Sequence, residues 1–258
     1  MASRKEERER LRELREEKEA ELKARQRKRL LAAYSGGAFL AIIVVVGGII
    51  ALAGNSGESG SAHVSLQSGQ TNGVAVDERY GIEPPPVEQA DLHLAATAAG
   101  CEVRAKLPIE GRSHLPEDSP APKYSSNPAT SGNHVLPPYQ QADGAYAETP
   151  QPVSVVHSLE HGRIAVQYSS ELPEEDQRAL RGVYDNAYSA ALLFPNDRMP
   201  YEVAVSSWGE LLGCFSYQGQ ATLDAIRAFG ARYQGTAPEP VEAFGPLAGP
   251  TFAGSSAS

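Results

Sequence analysis

The longest uncharged stretch of the sequence lies near its N-terminus and sets the organisation of the chain. Residues 30–53, LLAAYSGGAFLAIIVVVGGIIALA, form a run of 24 residues without a charge. As a helix this run would be about 36 Å long, against a hydrocarbon core of roughly 30 Å in a bilayer. A helix buried in a soluble domain is rarely this long and apolar on every face. The sequence therefore predicts one transmembrane helix over residues 30–53.

The charges beside this run predict its orientation. Residues 1–29 contain 12 Lys or Arg and 8 Glu, whereas residues 54–65 contain neither Lys nor Arg. Because basic residues beside a span stay cytoplasmic, we expect a single-pass plasma-membrane protein with a cytoplasmic N-terminus and an extracytoplasmic C-terminal domain. The alternative is cleavage after Ala53, since Ala51-Leu52-Ala53 resembles a signal-peptidase site. Signal peptides, however, usually have an apolar region of only about 7 to 15 residues.

Composition divides the rest of the chain into four segments. Residues 1–29 are predicted to form a charged cytoplasmic helix, because Glu and Arg or Lys recur three and four positions apart. Residues 54–90 are rich in Ser and Gly and then in Pro, which is typical of a linker. Patterned structure is expected over residues 91–240, the extracytoplasmic domain, and residues 241–258 have the composition of a disordered tail.

The charge balance limits the partners. Residues 30–258 carry a net charge of −13, since most of the basic residues lie in the first 29 positions. Nucleic-acid binding requires a basic footprint, so no nucleic-acid partner is expected. The expected partners are the lipid bilayer and membrane proteins. An acidic surface would also attract cations.

Within residues 91–240 the hydrophobic pattern predicts an α+β domain. We expect a small, mainly antiparallel sheet with two covering helices and long loops rich in Pro and Gly. The expected elements are a short helix before Cys101, strands over 153–157 and 163–168 joined by a tight loop, a helix over 173–193, a strand over 201–207 and a helix over 219–234.

Two cysteines, Cys101 and Cys214, fall on the predicted outer side of the membrane. Thiols outside the cytoplasm tend to pair, so we expect a disulfide between them. The alternative is two free buried thiols.

The sequence His157-Ser-Leu-Glu160-His161 has the form of the H-x-x-E-H motif of a group of zinc peptidases. That chemistry needs both histidines on one face of a helix, with the glutamate activating a metal-bound water. The β-branched stretches on either side predict strands here instead, so a peptidase helix is not expected.

A looser metal site fits the histidine pattern better. His134, His157 and His161 are the candidate ligands, with His114 or Glu160 as a fourth, and imidazole and carboxylate groups suit zinc or oxidised copper. The alternative is that these histidines make structural hydrogen bonds. No G-x-S-x-G elbow or phosphate-binding glycine loop occurs, so no catalytic residue is expected.

Several stretches together resemble one known family. They are NPATSGNH (127–134), GAY (144–146), VHSLEHGR (156–163) and SWG (207–209), the last of which precedes Cys214. They resemble the domain of unknown function 3105 family, common in actinobacteria, over about residues 100–240. Family members typically have Pro-Pro-Thr-Ser-Gly where this chain has Pro128-Ala-Thr-Ser-Gly132. The resemblance implies a membrane-anchored domain that faces outward, and it implies no established activity. The positions that match its motif residues are His114, His134, His157 and His161, with Cys101 and Cys214.

These observations lead to one main hypothesis and two alternatives. The main hypothesis is a membrane-anchored extracytoplasmic domain that binds copper or zinc through its histidines. The first alternative is a non-catalytic accessory or structural subunit of a cell-envelope membrane complex. The second is a zinc hydrolase, for which Glu160→Gln would retain the metal and abolish activity.

Overall fold

A computed structural model describes residues 71–116, 118–187, 189–240 and 251–252. All of them belong to one compact unit. The predicted cytoplasmic helix (1–29) and the predicted span (30–53) lie outside the described residues. Among the helices of the described part, none is long and apolar enough to cross a membrane.

A six-stranded mixed sheet forms the centre of the unit, in the strand order β1-β8-β7-β5-β6-β4. Three of its five strand pairings are antiparallel, namely β1–β8, β8–β7 and β7–β5. The other two, β5–β6 and β6–β4, are parallel. A second sheet pairs the two-residue strands β2 and β3. The α+β class and the mainly antiparallel pairing are therefore confirmed. The strands are β1 (Cys101–Arg104), β2 (His114–Leu115), β3 (His134–Val135), β4 (Gly144–Ala145), β5 (Ile164–Tyr168), β6 (Ala191–Pro195), β7 (Val203–Ser207) and β8 (Glu210–Cys214).

Helices cover both faces of the large sheet. Ile164, Val166 and Tyr168 of β5 face a cluster built with α1, α3 and α4, whereas Ala165 faces a second cluster built with α2. The alternation of side chains along a strand thus gives two apolar layers. The sequence predicts the short helix before Cys101 and two covering helices, and the described residues form one more, α2. The four helices are α1 (Leu92–Ala98), α2 (Pro152–Glu160), α3 (Glu174–Asp185) and α4 (Gln220–Tyr233).

The predicted strand over residues 153–157 is wrong, because this stretch belongs to α2. Pro152 occupies the first turn of the helix, where a missing N–H costs nothing. Every residue from Val153 to Glu160 is buried. A helix buried on all sides shows no 3.6-residue periodicity, and its valines were therefore indistinguishable from those of a strand.

The predicted helix over residues 173–193 is too long. It ends at Asp185, and residues 191–195 form β6. Between the two elements, Ala190 adopts a left-handed φ of 55°. Ala191 and Leu192 match the helical spacing by coincidence, since the whole ALLF run is buried in the sheet.

Four other elements agree with the sequence pattern, and several strands were missed. The short helix before Cys101, the strands β5 and β7, and the final helix are confirmed within a few residues. The strands β1, β2, β3, β4 and β8 were not predicted, and β8 forms a hairpin with β7. Cys101 of β1 lies directly opposite Cys214 of β8, and the structure joins them in a disulfide.

Part of the segment that we interpreted as a linker contacts the domain. Ile82 N–H donates to the carbonyl of Arg178 on α3, at 2.9 Å. Gly81 and Gly182 let the two backbones approach so closely that a Cβ on Gly182 would overlap the Ile82 carbonyl oxygen. In the C-terminal region, Phe252 contacts Gly230 of α4, and its N–H donates to Gln234 Oε1.

Candidate metal centre

Strands β2 and β3 place two histidines side by side. They pair in parallel with His114 opposite His134, so both side chains project from the same face. Their ring centroids are 4.9 Å apart. Val135 anchors the small sheet because it packs against Val153 of α2. The small sheet thus places two imidazoles next to α2.

The last turn of α2 supplies the other two members of the group. His157 and Glu160 are three residues apart and therefore lie on one face of the helix. The His157 ring centroid is 5.0 Å from that of His114 and 4.9 Å from that of His134. The three imidazoles form an almost equilateral triangle, with the Glu160 carboxylate beside it.

The potential ligand atoms of His114, His134, His157 and Glu160 all lie within 4.8 Å of one another. Glu160 Oε2 is 2.9 Å from His134 Nε2 and 4.0 Å from His114 Nε2. His134 and His157 are 0 % exposed, whereas the His114 side chain is 39 % exposed. The group is therefore buried and reaches solvent on the side of His114.

The protonation of His134 follows from its second nitrogen. His134 Nδ1 lies 2.8 Å from the Gly132 carbonyl oxygen, which only accepts, so Nδ1 carries a proton. In a neutral ring Nε2 then carries a lone pair and no proton, and it lies 2.9 Å from the Glu160 carboxylate oxygen Oε2. Neither His134 Nε2 nor Glu160 Oε2 has a hydrogen-bond partner among the described residues. Two acceptors at this distance require a cation, either a proton or a metal ion.

His161 fixes the tautomer of His157 by the same reasoning. His161 Nδ1 donates to the Glu239 carbonyl at 3.0 Å, which leaves its Nε2 as an acceptor when the ring is neutral. His157 Nε2 lies 3.0 Å from that atom and donates to it. The unprotonated nitrogen of His157 is therefore Nδ1, which is buried and has no hydrogen-bond partner in the described structure.

Burial keeps His157 neutral. Loss of solvation and, to a smaller extent, the neighbouring imidazoles of His134, His161 and His114 together lower the pKa of His157 to about 3, although the Val135 backbone acts in the opposite direction. A neutral imidazole with an exposed lone pair is the form that binds metals. His157 is thus neutral and keeps one unprotonated ring nitrogen that can act as a ligand atom.

Comparison with protein families adds an independent observation. Residues 117–244 match the sequence model of a family described as "Protein of unknown function (DUF3105)". The chain carries a DUF3105 domain. Comparisons with curated proteins and with solved structures found no significant match.

The DUF3105 match covers most of the group but not all of it. His134, His157 and Glu160 lie within the matched residues, whereas His114 precedes them by three positions. Cys214 is likewise inside the match and Cys101 outside it.

The structure brings four of the five candidate ligands together and sets the fifth apart. His161 contacts His157 but does not belong to the four-residue group. Sequence reasoning missed the carbonyls of Gly132 and Glu239, which orient His134 and His161. It also missed Trp208, whose ring meets that of His134 edge-on at 6.1 Å. Backbone acceptors leave no signal in a sequence.

The expectation that no helix carries the H-x-x-E-H motif is wrong, since α2 contains its first four residues and His161 is the C-cap. The arrangement nevertheless differs from that of a zinc peptidase. His157 and Glu160 face the group together, while His161 Nε2 faces His157. Glu160 thus belongs to the group of potential ligands itself, rather than lying beside it as a separate base.

Proposed function

We propose that the DUF3105 domain binds one divalent transition-metal ion, Cu²⁺ or Zn²⁺, through His114, His134, His157 and Glu160. The observation that carries this proposal is the contact between His134 Nε2 and Glu160 Oε2, two buried acceptors 2.9 Å apart that lack other partners in the described structure. A metal ion bound by both atoms would remove their repulsion and satisfy both lone pairs.

The spacing of the group supports a four-coordinate ion. Zinc–nitrogen bonds of about 2.0–2.1 Å in a tetrahedron separate neighbouring ligand atoms by about 3.3 Å. The distances from Glu160 Oε2 to His134 and His114, 2.9 and 4.0 Å, lie on either side of this value. Imidazole and carboxylate ligands without sulfur suit Zn²⁺ and Cu²⁺ rather than cuprous ions.

The proposed role is capture and hand-over of the ion at the membrane surface. In this proposal residues 30–53 span the plasma membrane and the domain is extracytoplasmic. The net negative charge of residues 30–258 would raise the local concentration of cations. His114 is the solvent-facing member of the group, and it therefore serves as the ligand through which the ion enters and leaves.

The competing explanation is a proton. A protonated His134 would form a buried ion pair with Glu160, and the histidines would then be structural. A metal titration separates the two explanations. The purified full-length chain is stripped with chelator, titrated with Zn²⁺ and Cu²⁺, and analysed by elemental analysis and by fluorescence of Trp208, the only tryptophan in the sequence. Because Trp208 lies 6.1 Å from His134, bound Cu²⁺ should quench its emission.

The proposal requires one ion per chain in the unmodified protein. His134→Gln should weaken binding more than 100-fold, while the matched control His93→Gln, at an exposed position on α1, should leave it unchanged. Binding that is absent, or that survives His134→Gln, would contradict the proposal and favour the ion pair.

Glu160→Gln separates a binding site from a hydrolase. As a ligand, Glu160 contributes affinity, so the Gln variant should lose the ion. A hydrolytic base would leave metal binding intact and abolish turnover instead. Retention of a full equivalent of metal in Glu160→Gln would therefore argue for the hydrolase.

The proposed location has its own test. Lys106 and Lys123 are exposed on the domain. A membrane-impermeant amine reagent applied to intact cells should label them. Labelling only after the cells are lysed would contradict an extracytoplasmic domain.

A further inference from the structure

A cavity of ≈ 330 Å³ lies beside α2, on a different side from the histidine group. None of the four proposed metal ligands lines it. Val155, Val156 and Phe194 form an apolar part of its wall. The lining residues are Tyr124, Ser126, Asn127, Ala129, Thr149, Pro150, Gln151, Pro152, Val155, Val156, Gln167, Phe194, Asn196 and Arg198.

The polar part of the wall is a chain of amides whose oxygen atoms are all engaged. Asn196 Nδ2 donates to Asn127 Oδ1 at 2.8 Å and to Gln167 Oε1 at 2.7 Å. Asn196 Oδ1 accepts the Arg198 backbone N–H. Because the Arg198 backbone N–H can only donate, Asn196 Oδ1 must be its acceptor, and Asn196 Nδ2 is therefore the donor to Asn127 Oδ1 and Gln167 Oε1. Asn127 keeps both of its Nδ2 donors, and Gln167 keeps a second N–H besides the one it gives to Ser206 Oγ.

The charge of the cavity lining also favours an anionic ligand. Its lining contains one cation, Arg198, and no Asp or Glu, although residues 30–258 carry a net charge of −13. Arg198 is exposed, and its guanidinium has no hydrogen-bond or ion-pair partner among the described residues. An unpaired guanidinium beside spare N–H donors forms strong hydrogen bonds with a carboxylate.

We propose that this cavity binds a small organic monocarboxylate, with Arg198 and Asn127 contacting the carboxylate and Val155, Val156 and Phe194 contacting an apolar group. The buried amides Asn196 and Gln167, 6 % and 3 % exposed, hold the donor end rigid. Small-molecule sites typically combine an apolar wall with a few fixed polar groups in this way. The site is independent of the metal, and its test does not depend on metal binding.

The test uses three probes that share one shape and differ in charge: benzoate, benzamide and benzamidine. Each is titrated into the purified full-length chain at constant ionic strength and followed by saturation-transfer NMR. Benzoate should bind at least threefold more tightly than benzamide, and benzamidine should bind most weakly. Equal affinities, or no binding of benzoate, would overturn the proposal.

Two variants and a control assign the contacts. Arg198→Gln should remove the advantage of benzoate and leave benzamide within twofold. Asn127→Asp should weaken the binding of benzoate at least threefold. One carboxylate oxygen of the new side chain can still accept the hydrogen bond from Asn196, whereas the other replaces the Nδ2 donors and adds a negative charge. The control Arg232→Gln removes an equal charge from an exposed position on α4, across the sheet. A loss of benzoate binding in Arg232→Gln equal to that in Arg198→Gln would also overturn the proposal, since the effect would then be general electrostatics.

Discussion

Because His157 is buried, the free energy of unfolding of the domain should depend on pH, and the pKa of His157 sets the size of this dependence. Its pKa is lowered to about 3 in the folded chain, from an ordinary value of 6.5. Below pH 6.5 the unfolded chain binds a proton at this position and the folded chain does not. The free energy of unfolding therefore falls as the pH decreases, by about 1.4 kcal/mol per pH unit between pH 6.5 and about 3. From pH 7 to pH 5 the contribution of His157 is a loss of about 2 kcal/mol.

The variant His157→Gln removes this contribution. Its amide nitrogen occupies a position similar to that of Nε2 and retains a donor for His161. Urea unfolding of the metal-free chain, followed by Trp208 fluorescence, measures stability at pH 7 and pH 5. The unmodified chain should lose about 2 kcal/mol more than the variant over this range. His93→Gln, at an exposed position, should behave like the unmodified chain. Equal losses in the unmodified chain and in His157→Gln would refute a buried, neutral His157.

Three further predictions concern the surroundings of the site and the fold. His161→Ala should weaken metal binding by about 10- to 100-fold in chelator competition, because the acceptor that selects the tautomer of His157 is lost. Cys101→Ser combined with Cys214→Ser should lower the free energy of unfolding by about 4 to 5 kcal/mol in urea titrations, since the bridge closes a loop over a separation of 113 residues. Gly182→Ala should cost about 1 to 3 kcal/mol, because its methyl group overlaps the Ile82 carbonyl, and should speed proteolysis before residue 91.

The helices show which elements can be predicted from the sequence and which cannot. The helix α3 has one exposed face, so its apolar residues recur with a readable period. The helix α2 is buried along almost its whole length, and its Val-Ser-Val-Val run therefore carries no period at all. The strand β6 was absorbed into the preceding helix for a related reason, since four consecutive buried residues fit either pattern.

Some features of the candidate site could likewise be predicted from the sequence, and others could not. The residue types identified the histidines and Glu160, because those side chains are few and chemically distinctive. The separation of His161 from the other four depends on the Glu239 carbonyl, 78 residues further along the chain, and no local pattern contains that contact. The choice between His114 and Glu160 as a fourth ligand also needed the fold, since β2 and α2 bring both to His134.

The proposed ligands come from three separate segments, and two of these segments are strands of only two residues. An ion held by all three would tie the long proline-rich region between β1 and α2 to the helix at two points, His114 and His134. At a free metal concentration 1,000 times the dissociation constant, binding would add about 4 kcal/mol to the stability of the folded chain. Loading with metal would then be visible as resistance to digestion between residues 107 and 152, and removal of the ion would expose that region to proteases first.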